Sequence, residues 1–228
     1  MCGRFAAGQN TQTEMLDIIR GFLDTPAQID TQAPVPHPSW NVKPTQMVSM
    51  LYQSDTVQLS SGRWWFVPDW HRGDVKDFKL TTFNAKIETA HEKPTFRKAW
   101  KTGRCIIPAQ GYFEWTGPKH KRQPWFVSVQ SNQPSLFFAG LWSRLDNGLN
   151  TCTILTRAAS PQIKALHPRM PVIADPTDIA AWLTGDMDTQ DAIDTLGTGW
   201  DERFTFHPVA RFGRDDDGEC VIEPIGLL

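Results

Sequence analysis

No apolar run in this chain approaches the roughly 20 residues that a bilayer-spanning helix needs. The first residues also lack the basic stretch and apolar segment of a secretory signal. These two absences argue against a membrane protein and set the expectation of a cytoplasmic one. Cysteine is scarce and scattered. Cys2, Cys105, Cys152 and Cys220 form no C-x-x-C pair and no Cys/His cluster, which excludes a disulfide framework and a structural metal site from the reading. Cys105 and Cys152 lie in apolar runs and are expected in the core. Linkers, repeats and low-complexity segments are missing, so residues 1–228 are expected to form one domain. Net charge is only −2 and the sequence pI about 6.3, which excludes a protein that coats nucleic acid in bulk.

What is present is uneven. Ten Trp and 13 Phe stand against two Tyr, more aromatic surface than a core alone requires and enough to offer stacking platforms. From Arg63 to Arg104 there are ten Lys/Arg against five Asp/Glu; from Asp175 to Leu228 there are 13 Asp/Glu against three Lys/Arg. A basic middle with an acidic end is compatible with a small local contact to a polyanion, though charge runs are more often plain solvated surface.

Residues 11–23 have the pattern of an amphipathic helix, with Thr11 and Glu14 at capping-box spacing and Met15, Ile18, Ile19 and Phe22 on one face. Residues 25–44 read as a loop. Short strands are expected near 46–52, 56–60 and 62–67, a charged loop at 68–82, and a helix at 91–101. A dense β series follows at Arg104–Ile107, Gly111–Trp115, Pro124–Val129, Leu136–Trp142 and Thr151–Thr156, separated by turns such as Ser131-Asn132-Gln133-Pro134. Short helices are expected from Ser160-Pro161 to Leu166, from Asp175-Pro176 through Trp182, and at 188–196, with a last strand near Phe204–Val209. Neighbouring strands outnumber helices. The expected class is α+β, a single domain with an antiparallel, barrel-like core and flanking short helices.

Cys2 follows Met1 and precedes Gly3. Loss of Met1 would leave a residue carrying a free α-amine and a thiol on adjacent carbons, with ordinary pKa values of about 7.7–8.0 and about 8.5. A 1,2-aminothiol traps an aldehyde twice, first as a Schiff base and then as a thiazolidine. The plain alternative is a terminal residue fraying in solvent. In Gly111-Tyr112-Phe113-Glu114-Trp115, strand alternation puts Tyr112 and Glu114 on one face. A carboxyl among aromatics is desolvated and suited to move protons, against the alternative of a solvent-facing edge residue. His167 enters the rigid run His167-Pro168-Arg169-Met170-Pro171, suited to proton transfer and anion binding or else a helix C-cap beside a surface Arg. The Asn84 amide can hold a nucleophile and a substrate oxygen together, or cap a helix.

Met-Cys-Gly-Arg-Phe, then Asn41-x-x-Pro44, Asn84-Ala-Lys-x-Glu-Thr89, Gly111-Tyr-Phe-Glu-Trp115 and His167-x-Arg-Met-Pro171, in this order, resemble the SOS-response-associated peptidase (SRAP) family. The resemblance runs from residue 2 to residue 171. It implies a compact fold with a β-barrel-like core. It further implies that Cys2, freed of Met1, crosslinks an abasic deoxyribose in single-stranded DNA through a thiazolidine. Asn84 would orient Cys2 and the sugar, Glu114 would shuttle protons, and His167 would act as acid and base. Arg4, Lys86 and Arg169 would hold flanking phosphates, with Trp70 and Phe96 against neighbouring bases. The partner would be single-stranded DNA with abasic sites, bound by a monomer at the nucleoid, with no cofactor, metal or membrane.

Two departures stand out: Lys86 where relatives often carry Arg, losing the planar fork, and Pro168 where they often carry a polar residue. The competing readings are an N-terminal-nucleophile amidohydrolase, a thiol peptidase, with its own N-terminus as the narrowest substrate, and a non-covalent single-stranded DNA-binding module. The amidohydrolase would need a glutamine-binding pattern that the chain does not show.

Overall fold

The computed structural model describes residues 2–8, 16–17, 20–21, 23, 27–129, 135–198 and 204–226. Thirteen strands run in chain order among them. They are β1 (Phe5–Ala7), β2 (Ala27–Ile29), β3 (Ser39–Val42), β4 (Met47–Gln53), β5 (Val57–Trp64), β6 (Asn84–Lys86) and β7 (Arg104–Ala109). β8 (Gly111–Thr116), β9 (Gln123–Val129), β10 (Leu136–Arg144), β11 (Asn150–Ala158), β12 (Arg169–Pro171) and β13 (Phe204–Pro208) follow. Four short helices flank them: α1 (Ile87–Ala90), α2 (Arg97–Thr102), α3 (Ile179–Thr184) and α4 (Thr189–Thr198).

The strands form two sheets. One has the order β13-β9-β8-β1-β3. The other runs β12-β11-β10-β7-β4-β5-β2, with β6 added beside β11. The end of β5 also pairs with the start of β11, Arg63 against Thr151 and Trp64 against Cys152, so five strands of this sheet make a returning circuit. Most pairings are antiparallel; β2–β5, β5–β11 and β6–β11 are parallel. The mixed α and β content and the mainly antiparallel pairing agree with the sequence expectation.

Among the described residues there are four apolar clusters, of which three bear on the site. The largest, with Leu51, Leu59, Phe66, Trp100 and Trp182, packs the helices against the larger sheet. The second holds Cys2, Phe5, Trp64, Tyr112, Phe138, Cys152 and Ile154, drawn from strands of both sheets. The third lies on the other side of β8, where Phe113 and Phe126 meet Val209 and Val221. Cys105 and Cys152 are fully buried, as expected.

The differences from the sequence expectation have local causes. The runs expected at 56–60 and 62–67 merge into one strand, β5, which is continuous across Ser61 and ends at Trp64. Residues 25–44 are not all loop: β2 and β3 are too short to show alternation and exist because β5 and β1 offer backbone partners. The helix expected at 91–101 starts only at Arg97. Pro94 has no N–H to give a preceding turn, and the chain restarts its hydrogen bonding from the Lys93 carbonyl, which accepts from the Phe96 and Arg97 N–H groups. Residues 161–166 form turns anchored on the Ser160 carbonyl rather than a helix, since a run this short before Pro168 gives little propagation. Asp175 caps the following helical segment by accepting from the Thr177 N–H at 2.9 Å. Of the helix expected at 11–23, Leu16, Asp17 and Arg20 are helical and Leu16 is buried; Thr11, Glu14, Met15, Ile18, Ile19 and Phe22 lie outside the described residues, as does the turn at 131–134.

Gly111 shows why the Gly-Tyr-Phe-Glu-Trp strand begins as it does. A Cβ there would sit 2.4 Å from the Phe126 ring and 2.6 Å from the Val127 carbonyl oxygen. Gly111→Ala is expected to destabilise the fold by about 1–3 kcal/mol through overpacking against backbone. Gly226→Ala, where a Cβ meets nothing within 4 Å, should change stability by less than about 0.5 kcal/mol. Urea unfolding of the two variants checks the difference.

Candidate active site

Phe5 is fully buried and fixes the amino-terminal strand inside the molecule. Its ring meets Trp64 edge-on at 5.0 Å and Phe138 at 5.9 Å. β1 is laced to β8, with Phe5 opposite Tyr112, and the Phe113 N–H donates to the Arg4 carbonyl at 3.0 Å. Cys2 is therefore carried into the core and has no exposed surface; its thiol donates to the Arg4 carbonyl at 3.6 Å. Burial pushes the Cys2 thiol pKa well up, and the negative charge of Glu114 pushes the same way.

Asn84 reaches Cys2 from another element. β6 lies parallel to β11, with Asn84 opposite Ile154. The Trp64 indole N–H donates to the Phe83 carbonyl at 2.8 Å, which pins the residue before Asn84. The Asn84 Nδ2 then donates to the Cys2 carbonyl at 2.7 Å, while its Oδ1 is buried with no hydrogen-bond partner. The helix-cap alternative for Asn84 does not hold. Lys86 occupies the N-cap position of α1 and makes no side-chain cap.

Glu114 and His167 meet at one cavity of about 370 Å³, lined also by Gly3, Arg4, Trp115 and Arg122. Glu114 is 4% exposed. Burial raises its pKa, opposed by the positive charge of the amino terminus and of His167. His167 Nδ1 lies 3.0 Å from both the Arg169 N–H and the Arg169 carbonyl, so the ring is held against the backbone of its own loop. Arg4 lies against the same cavity. Its Nη1 donates to Asn41 Oδ1 at 2.6 Å and to the Gly213 carbonyl at 3.3 Å, and its guanidinium stands 5.8 Å from the Phe212 ring centre.

The remaining candidates lie differently. Arg169 is committed to a fork with Glu88, at 2.6 and 2.9 Å, and also donates to the Thr156 carbonyl. It ties the His167 loop to α1 beside Asn84. Lys86 is exposed two residues from Asn84. Trp70 is 53% exposed against the edge of Phe78. Its neighbours Pro68 and Asp69 line a different cavity of about 260 Å³, with Lys98 and Trp142. Phe96 packs on Phe66 at 5.3 Å and joins the largest core cluster, so much of its ring is taken up by packing. Arg122 and Trp115 line the cavity without having been singled out from the sequence as site residues. Arg122 ends the basic run Lys119-His120-Lys121-Arg122 directly after the Glu114 strand, and that run was the available signal. Among the described residues, no three His, Cys, Asp or Glu side chains come together in a way that could hold a metal ion.

Residues 1–212 match the family described as SOS response associated peptidase (SRAP). The chain belongs to this family. It is 36% identical over 193 residues to the abasic site processing protein YoqW of Bacillus subtilis, covering 80% of each chain. To the abasic site processing protein YedK of Escherichia coli it is 30% identical over 233 residues, covering 99% of this chain and 100% of the relative. An X-ray structure of a Bacteroides thetaiotaomicron protein has the same fold, with a TM-score of 0.79 at 19% identity, over 98% of this chain and 100% of that one.

The raised Glu114 pKa gives a pH test. The unfolded chain releases this proton near the ordinary carboxylate value, and the folded protein holds it to higher pH. Stability from this group is therefore present at low pH and is lost as pH rises through the folded value. Glu114→Gln does not titrate. Its melting temperature relative to the parent protein should be higher at pH 8 than at pH 4, in thermal melts at both pH values.

Proposed function

We propose that this chain processes abasic sites in single-stranded DNA by a covalent reaction of Cys2, after removal of Met1. The observation that carries the reading is a cavity that brings together the desolvated Glu114 carboxyl, the His167 imidazole and two arginines beside Gly3, the residue that follows the buried Cys2. The curated relatives named as abasic site processing proteins support the same substrate.

The chemistry begins at nitrogen. A thiol peptidase or amidohydrolase needs a thiolate near neutral pH, and burial holds the Cys2 thiol in the opposite sense. The Cys2 amine adds to the aldehyde carbon of the ring-opened deoxyribose to give a carbinolamine. Glu114, whose proton burial holds to higher pH than an ordinary carboxyl's, gives a proton to the departing hydroxyl, and water leaves as the imine forms. The thiol then adds to the imine carbon; the C–S bond closes the thiazolidine and the thiol proton ends on the ring nitrogen. His167, on the same cavity, assists opening of the sugar ring and reversal. Asn84 holds the Cys2 carbonyl and offers its Oδ1 to the amine or to a sugar hydroxyl, which would relieve a buried unpartnered acceptor worth about 1–3 kcal/mol. Arg4 and Arg122 supply positive charge for the flanking phosphates. Lys86, exposed two residues from Asn84, adds a further positive charge, whereas Arg169 acts chiefly through the Glu88 fork. Peptidase activity is confined in this reading to exposing Cys2. The protein acts as a monomer, and the strand circuit through β5 and β11 supports one barrel-like domain across residues 1–228.

The test is a denaturing gel of protein mixed with a single-stranded oligonucleotide carrying one abasic site. A shifted band is expected, absent for Cys2→Ala and for protein that mass spectrometry shows to retain Met1. Glu114→Ala should slow its formation by about 10²–10⁴-fold. Reversible, salt-sensitive binding with no denaturant-resistant band would instead make the protein a non-covalent binding module.

A further inference from the structure

A second concavity of about 370 Å³ adjoins the Glu114 cavity and shares Trp115 and Arg122 with it. Its rim comes from two separate parts of the chain. The β8–β9 turn supplies Lys119 and His120, and the segment after β13 supplies Arg211 and Phe212. Gly117 adopts a φ of +89° at the start of the turn, and the Lys121 N–H donates to the Pro118 carbonyl at 2.8 Å. The turn thus has a defined shape and holds its basic side chains outward. On the opposite rim Phe212 is fixed by Phe113 at 4.9 Å and Trp115 at 6.0 Å.

The charge on this groove has one sign. No Asp or Glu lines it. Among the described residues, Lys119, Arg122 and Arg211 have no ion pair with a carboxylate, while the cations of the basic middle segment at Arg72 and Lys98 are both paired. Unpaired cations along a groove, with two partly buried aromatic rings in its wall, suit a phosphodiester chain whose bases stack as its phosphates pass. An acidic peptide would use the charges and leave the rings without a partner.

We propose that this groove, formed by the β8–β9 turn and the Arg211-Phe212 segment, carries the nucleic-acid strand on one side of the lesion, holding phosphates with Lys119 and Arg211 and a base against Trp115 and Phe212. The inference rests on the abasic-site reading for its substrate but predicts something separate, a subsite for undamaged nucleotides. It also explains how a protein of net charge −2 grips a polyanion: the positive field is concentrated in one channel.

The experiment compares the parent protein with Lys119→Ala/Arg211→Ala. Both side chains are exposed and neither lines the Glu114 cavity, so the fold should be unaffected. Crosslinking is followed against oligonucleotide concentration for an abasic strand of about 20 nucleotides and for an abasic trinucleotide too short to reach the groove. The double variant should raise the half-saturating concentration of the long strand on the order of tenfold and make its salt dependence shallower by about 1.4 log units per log unit of salt. The maximal rate, and the behaviour of the trinucleotide, should not change. Fluorescence anisotropy with an undamaged 20-nucleotide strand should show the same weakening, and this arm needs no crosslink. If the parent protein forms no crosslink with either oligonucleotide, the abasic-site reading fails and the anisotropy arm still decides the groove. Unchanged binding and salt dependence in the variant would overturn the groove while leaving the abasic-site reading intact. Equal affinity for polyglutamate of matching length would also overturn it, marking a docking site for an acidic protein.

Discussion

Cys2 and the strand that follows it are held inside this protein, and the candidate site is built on that constraint. Most chains leave their first residues in solvent, where a terminal aminothiol has no fixed neighbours. Here Phe5 is anchored between Trp64 and Phe138, and the short β1 strand is paired on both edges, to β3 and to β8. The Asn84 amide then clasps the Cys2 carbonyl. A thiol held this way is desolvated, so its proton is difficult to remove. The same burial raises the carboxyl of Glu114, so one physical cause sets the proton affinity of both groups.

The other site residues arrive by neighbouring ladders. Glu114 comes on β8, the immediate neighbour of β1. Asn84 comes on β6 and Arg169 on β12, both laid against β11, and His167 stands two residues before Arg169. The Arg169–Glu88 fork spans the last two groups, so the Asn84 strand and the His167 loop are braced against each other. Such bracing limits drift between two side chains that come from distant parts of the sequence.

Acidic residues near the end of the chain serve a local purpose as well as keeping the surface negative. Asp216 accepts from the Gly213 N–H and Asp217 from the Trp40 N–H. Carbonyls of residues 213 and 216 accept from Asn41, whose Oδ1 in turn accepts from Arg4. A segment with an excess of negative charge thus closes the network that aims a cation at the cavity. Charge counted along the chain predicts none of this, because capping depends on where a carboxylate meets an N–H group and not on the local balance.

The sequence by itself determined the β series from Arg104 to Thr156, since those strands are long enough to carry alternation and are separated by turn residues. It also placed Tyr112 and Glu114 on one face and Phe113 and Trp115 on the other, and it singled out Cys2, Asn84, Glu114 and His167 as groups suited to aldehyde chemistry. Three-residue strands such as β1, β6 and β12 carry no readable period and were decided by their partners. The exposure of Trp70, the packing of Phe96 and the engagement of Arg169 with Glu88 were likewise beyond sequence, because each depends on which surface lies opposite. Only the tertiary structure brought Arg122 and Phe212 to the site and buried Cys2 among the sheets. The physical reason is that a residue's type fixes the chemistry it can offer, whereas desolvation and approach are properties of what surrounds it.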